Sequence, residues 1–161
     1  MSSTEAAKAP DLKERAIAYA EGLAAASDLD LSVEHHDVGD DNLWIKFDGP
    51  DSRFLVGRSG QVLDALQYLT LLSVNRRGPL TGARLRVTFD ADSYRARREV
   101  TLKKLARELS EQVRATGQEA VLDPLSAMER RIVHQAISDE EGIRTYSEGE
   151  DPDRYIVIAP A

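Results

Sequence analysis

The chain has no cysteine among its 161 residues, which excludes disulfides and thiolate-bound metals. It has no long apolar run, so a membrane-spanning helix is excluded and no membrane insertion is expected. Residues 1–8 (MSSTEAAK) lack the basic start and apolar stretch of a secretory leader, so no signal peptide is expected and a cytoplasmic home fits. No carboxylate dyad and no nucleophile–base pair stands out, so an enzyme is not expected. Positive charge is also scarce overall, with a formal net charge of −7.

That deficit is uneven. Between Arg76 and Arg114 there are 11 Lys/Arg against 5 Asp/Glu, a local charge of +6, so the remainder carries −13. Binding follows the local field, and an acidic protein can hold a basic face. The bland alternative is a solvated helix surface. Residues His35-His36-Asp37 invite a metal reading, but neighbours on a strand point to opposite faces, so no metal and no cofactor are expected.

Residues 1–9 are small and polar and are expected to be disordered. Pro10-Asp11 then opens a helix bearing Leu12, Ala16, Tyr19, Ala20 and Leu23 on one side. Residues 31–38 and 43–47 alternate as two strands around the turn 39–42, with Leu43, Ile45 and Phe47 inward. Ser52 to Val56 can form one helical turn. A glycine turn, Gly57-Arg58-Ser59-Gly60, enters a long helix over about 61–74, whose buried face is expected to hold Val62, Leu63, Leu66, Leu69 and Leu72. Residues 84–89 form a third strand, with Leu85, Val87 and Phe89 inward.

The two glycines leave a naked backbone turn at a helix N-terminus, where N–H groups and the helix dipole favour an anion. Arg58 adds a cation, although the loop has no lysine. A plain helix-entry turn is the structural alternative. In order, residues 11–90 read helix, strand, strand, short helix, glycine turn, helix, strand. That order resembles a K-homology (KH) domain of type II topology, α-β-β-α-α-β, and residues 57–69 are especially similar to the KH domain of the KhpB family, also called Jag or EloR. The resemblance implies that Gly57, Arg58, Ser59 and Gly60 clamp a short stretch of single-stranded RNA or DNA.

A long basic helix is expected over 93–116. Its apolar stripe is Leu102, Leu105, Leu109 and Val113, and Arg95, Arg97, Arg98, Lys103, Lys104 and Arg107 cover much of the rest. Gly117 is a natural C-cap, and 119–122 reads as a short strand. Ser126-Ala-Met-Glu129 is a capping box, and the helix it starts carries Arg130, Arg131 and His134. Two strands, 143–147 and 154–158, follow as a hairpin, and the acidic 139–153 stretch reads as solvated loop. Met128 to His134 with this hairpin resembles the domain named for its Arg-xxx-His motif, the R-three-H domain, a small α/β unit with helices packed on a short sheet.

The expected architecture is thus α+β, a KH domain over 10–91 followed by an R-three-H domain over 92–161 that includes the connecting helix. The resemblance implies nucleic-acid contacts at Arg130, Arg131 and His134, with Arg95 and Arg98 extending the path. Arg130 is expected to lie exposed, so that its replacement by alanine leaves the fold intact. His134 has a structural alternative, orienting the surface rather than touching ligand. The family further implies an RNA chaperone or post-transcriptional regulator linked to cell elongation and division, and a small KH-only partner of the KhpA type or a homodimer. The Jag-N domain and linker usual in the family are not expected here, nor are functions tied to them. A protein-interaction adaptor that dimerises through its KH fold is the competing class. A nuclease using His134 lacks a second catalytic group.

Overall fold

The computed structural model of the chain describes residues 12–39, 41–75 and 85–161. The tail 1–9 and the cations Arg76, Arg77 and Arg84 lie outside them. The chain divides into two compact units, Met1–Tyr94 and Arg95–Ala161.

The first unit places helices α1 (Leu12–Ala26) and α2 (Gln61–Asn75) against a three-stranded sheet of order β1-β2-β3. Strand β1 (Ser32–Gly39) runs antiparallel to β2 (Asn42–Asp48), and β3 (Arg86–Ala91) runs parallel to β2. Side chains alternate along a strand, so Leu43, Ile45 and Phe47 of β2 and Val87 and Phe89 of β3 share the buried side. Phe47 and Phe89 meet edge to face at 5.2 Å, a geometry favoured by the ring quadrupoles. On α1, Ala16 and Ala20 are fully buried, and their small side chains allow close packing.

Helix α2 buries only part of the face its apolar spacing suggests: Leu63 and Leu66 pack on the core as expected. Leu63, Thr70 and Val74 are buried, whereas Val62, Leu69 and Leu72 are exposed, as is Tyr68. The reason is a set of polar clasps onto β3. Gln67 Oε1 accepts the Phe89 N–H at 3.0 Å, and the Asn75 amide exchanges two bonds with the Leu85 backbone at 3.3 and 3.4 Å. Thr70 tolerates burial because its hydroxyl donates to Leu66 O at 2.8 Å. Gln67 and Asn75 thus occupy main-chain groups on β3 and on Leu85 just before it, which would otherwise invite strand pairing.

In the second unit, α3 (Tyr94–Thr116) buries Leu102, Ala106, Ser110 and Val113. Leu109 packs against the core as expected, whereas Leu105 is exposed, contrary to the expected stripe. Ser110 takes the inward position because its hydroxyl donates to Glu140 Oε2 at 2.7 Å. Gly117, at φ 69°, ends the helix with its N–H on Val113 O at 2.8 Å. An antiparallel sheet of order β4-β6-β5 follows, from Ala120–Val121, Tyr155–Pro160 and Ile143–Glu148. Helix α4 (Ala127–Ala136) packs Val133 onto Ile156 and Ile158 in the core shared with α3. Its capping box is complete. Glu129 N–H donates to Ser126 Oγ at 3.3 Å, and Ser126 N–H donates to Glu129 Oε2 at 3.0 Å.

Candidate nucleic-acid interface

The glycine turn of the first unit is built from left-handed backbone. Gly57, Ser59 and Gly60 have φ of 67°, 51° and 82°, a region that glycine enters without steric cost. A Cβ on Gly57 would run into Val62 Cγ2, and one on Gly60 would stand 2.8 Å from the Tyr94 ring. Gly60 is buried, so the open backbone is that of Gly57, Arg58 and Ser59 alone. The Val62 N–H at the helix start is taken by Val56 O at 3.3 Å. The turn thus offers less open backbone than the bare motif suggests. What it does offer is Arg58, exposed and with no ion pair among the described residues.

In the second unit an open cleft of about 420 Å³ lies between α4 and the hairpin, lined by Arg131, His134, Thr145, Ser147 and Arg154 among others. Helical geometry explains which motif residues reach it. At 100° per residue, Val133 and Ile137 flank one side of Arg130, while His134 and then Arg131 rotate progressively outward. Val133 and Ile137 are accordingly buried, and His134 and Arg131 exposed. A hydrogen bond between His134 Nδ1 and the Thr145 hydroxyl fixes the ring. With that hydroxyl donating, the ring proton sits on Nε2, which can donate to a phosphate oxygen. Tyr146 also lines the cleft. Burial raises its phenol above the ordinary value, and the Glu119 carboxylate, which accepts the phenol proton at 3.2 Å, pushes the same way.

Arg130 departs from its expected role as an exposed fork. It is only 7% exposed. Its Nη1 donates to Leu125 O at 2.6 Å, to Asp151 Oδ1 at 2.9 Å and to Arg154 O at 3.4 Å. It therefore ties the start of α4 to the hairpin. Asp151 sits in the acidic stretch read as solvated and is exposed, as are Asp139, Glu141, Glu148, Glu150 and Asp153; the half-buried Glu140 departs from that reading, engaged by Ser110 and by Arg114 at 2.9 Å.

The basic face of α3 is largely satisfied within the protein. Arg98 Nε donates to Glu129 Oε1 at 2.7 Å, so one carboxylate holds both α3 and the α4 cap. Lys104 pairs with Glu108 and Lys103 with Glu99, and Arg95 and Arg97 are also engaged. Of the residues singled out from sequence, Arg130, Arg131 and His134 line the cleft with Arg154, Arg130 with its donors engaged by the protein, while Arg98 and Arg95 are engaged elsewhere in the fold.

Arg154 escaped the sequence reading of the site, although it opens the strand quoted for the motif. It makes no ion pair among the described residues, and its Nε is buried with no hydrogen-bond partner there. Thr145 and Ser147 were missed too. Their alternation along β5, in register with the core residues Ile158 and Ile156, puts them on the helix-facing side. Among the described residues no cluster of three or more His, Asp or Glu could hold a metal.

The Arg-and-His cleft between a capped helix and a hairpin lies in an R-three-H domain, whose family profile matches residues 100–160. The chain is 35% identical over 150 residues to RNA-binding protein KhpB of Clostridium symbiosum, covering 92% of this chain and 66% of that protein. It is 34% identical over 143 residues to the Lactiplantibacillus plantarum protein of the same name, covering 89% of this chain and 42% of that one. The Bacillus subtilis protein of that name is 35% identical over 147 residues, covering 87% and 64%. The chain contains an R-three-H domain and is similar over most of its length to these KhpB proteins, while spanning less than two thirds of theirs.

Proposed function

We propose that the protein is a non-catalytic single-stranded RNA-binding protein, with a type II KH domain over about residues 10–91 and an R-three-H domain over 92–161. The first assignment is supported by the succession α1, β1, β2, 3-10 turn, glycine turn, α2, β3. The names of the relatives support the choice of RNA. The observation that carries the reading is the convergence of Arg131, His134 and Arg154 on one open cleft, with neither arginine in an ion pair among the described residues. Guanidinium groups lining an open cleft without a carboxylate partner can donate charge-assisted hydrogen bonds to phosphate oxygens. Arg130 positions the hairpin that completes this cleft, and Arg58 provides a second phosphate contact. Single-stranded DNA offers the same phosphates and is the competitor to test.

On this reading the protein works in the cytoplasm as an RNA chaperone or post-transcriptional regulator in cell elongation and division, alongside a small KH-only partner of the KhpA type. The test is fluorescence anisotropy with a labelled single-stranded RNA between about 50 and 200 mM salt. Arg131→Ala and Arg154→Ala should each weaken binding severalfold and reduce the salt slope by about one. Folded variants with unchanged affinity and slope would overturn the assignment.

One observation favours a second reading, a protein-interaction adaptor. Helix α2 exposes Tyr68, Leu69 and Leu72 side by side, at 62%, 49% and 49%, and contiguous apolar surface marks interaction sites. Sedimentation of the wild type against Leu72→Glu tests it: a dimer lost in the variant supports the adaptor, and a monomer in both removes it.

A further inference from the structure

The 3-10 turn Ser52–Leu55 carries an aromatic ring to the surface immediately before the glycine turn. Such a turn has three residues per revolution, so Ser52 and Leu55 share one side. Ser52 is buried and Leu55 packs on the core, which leaves Arg53 and Phe54 pointing outward. Phe54 is 56% exposed, while the other two phenylalanines, Phe47 and Phe89, are fully buried. The ring is held on a firm support. Phe54 N–H donates to Asp51 O at 3.0 Å, Val56 N–H to Arg53 O at 3.2 Å, and Asp51 Oδ2 accepts the Asp30 N–H at 2.9 Å.

The guanidinium of Arg53 lies 5.0 Å from the Phe54 ring centroid. Neither Arg53 nor Arg58 makes an ion pair among the described residues. The ring is therefore flanked in sequence by two uncompensated positive charges, which complement a polyanion. Gly57 follows Phe54 by three positions, so their Cα atoms are at most roughly 11 Å apart, within the reach of neighbouring nucleotides on one strand. Aromatic rings beside a positively charged backbone track are how single strands are held without sequence preference.

We propose that Phe54, backed by Arg53, is a stacking platform for a nucleobase of the strand whose phosphate lies at Gly57-Arg58-Ser59. The proposal rests on the RNA-binding reading above and adds a base contact to its phosphate contacts. The preorganised turn presents the ring in place, so little ordering is needed on binding. A protein partner is the rival occupant of an exposed phenylalanine, and it would make no distinction between intact and baseless nucleotides.

The test is a cycle on the full chain with two oligonucleotides, a single-stranded RNA and the same backbone with abasic nucleotides. Phe54→Leu should bind the intact strand about tenfold more weakly with an unchanged salt slope, because no phosphate contact is lost. Phe54→Tyr should bind like the wild type. On the abasic strand the wild type and Phe54→Leu should bind equally. An equal loss on both strands, or a dimer in the wild type that Phe54→Leu abolishes, would overturn the platform. So would wild-type affinity in Phe54→Leu, and if Arg131→Ala and Arg154→Ala still weakened binding, the RNA reading would survive alone. A wild type that binds neither strand sinks both.

Discussion

Arg58 and Arg130 each stand in a short motif that suggests a phosphate contact, one in each unit, yet the fold treats them oppositely. Arg58 sits at the tip of a left-handed turn, exposed and with no ion pair among the described residues. Arg130 is buried against two main-chain carbonyls and the Asp151 carboxylate. The difference lies in what each backbone element does with its neighbours. A positive-φ turn projects its side chains away from the core. A helix face one step from Val133 and Ile137 must bury whatever stands there, and a guanidinium is buried only when its donors are matched. The same motif spacing can thus mark a ligand contact or a structural clamp.

The contrast breaks most readily at Arg130. Arg130→Ala leaves Leu125 O and Asp151 without this donor, while Arg154 O keeps the Leu125 N–H at 3.1 Å, and it loosens the tie between α4 and the hairpin. Loss of a buried, hydrogen-bonded charge should destabilise the second unit by about 3 kcal/mol. Urea unfolding followed by far-ultraviolet circular dichroism measures this. An unmoved transition would return Arg130 to the class of surface arginines. Asp151→Asn should cost less, since both carbonyls keep their donor.

Gly60→Ala asks whether the glycine turn is built for the fold or for a ligand. At φ 82° a side chain is strained, and its Cβ would press on the Tyr94 ring. A loss of about 2 kcal/mol in the first unit is expected, read through the single tryptophan, Trp44, which lies on β2. Stability equal to the wild type, with RNA binding lost, would make Gly60 a ligand residue only.

Ser126→Ala is the milder counterpart on the α4 side. It removes one half of the capping box and should cost about 1 kcal/mol. Glu129 would keep its bond to Arg98, so the effect should stay in the first turn of α4. A loss as large as that of Arg130→Ala would mean that the cap, rather than the clamp, holds the unit together.

Much of this was legible locally. The alternation of Leu43, Ile45 and Phe47 gives β2 its buried face, and Ser126 with Glu129 gives α4 its start, because both signals lie within a few neighbouring residues. What was not legible depends on distant partners. Arg130 and Asp151 are 21 residues apart, and nothing in either neighbourhood announces the pair. Gln67 and Asn75 clasp the β3 segment and Thr70 is buried on its own helix carbonyl, so counting apolar residues on that helix finds Leu63 and Leu66 but adds the exposed Val62, Leu69 and Leu72. Ser110 is likewise buried on α3, where the count adds the exposed Leu105. Arg154 was hidden for the opposite reason: its value to a ligand lies in partners it does not have, which only the folded neighbourhood shows.

An exposed pair sets the lower end of the scale. Lys13 holds Asp37 below the usual carboxylate range, chiefly through its hydrogen bond at 2.8 Å, and the Gly39 N–H adds to it. A lowered native pKa stabilises the fold at pH above the unfolded-state value, and the contribution is lost as pH falls through the native one. Asp37→Asn should be slightly less stable than the wild type at neutral pH, with the two Trp44 unfolding curves converging in acid. Curves that stay apart in acid would assign the difference to something other than this ionisation.

Arg58→Ala is the smallest change to the fold and the sharpest contrast with Arg130→Ala. No ion pair of Arg58 among the described residues would be broken and no core area is removed, so the first unit should unfold within about 0.5 kcal/mol of the wild type. Its RNA affinity should nonetheless fall severalfold, and its salt slope by about one, because one charge-assisted phosphate contact and its released counterion are gone. The measurements must be made on the same preparation, since a partly unfolded protein also binds poorly but keeps the slope of its folded fraction. Equal stability with a shallower slope makes Arg58 a ligand contact. Equal stability with unchanged affinity and slope leaves the turn a helix entry, and the RNA path would then run through the Arg131, His134 and Arg154 cleft without it.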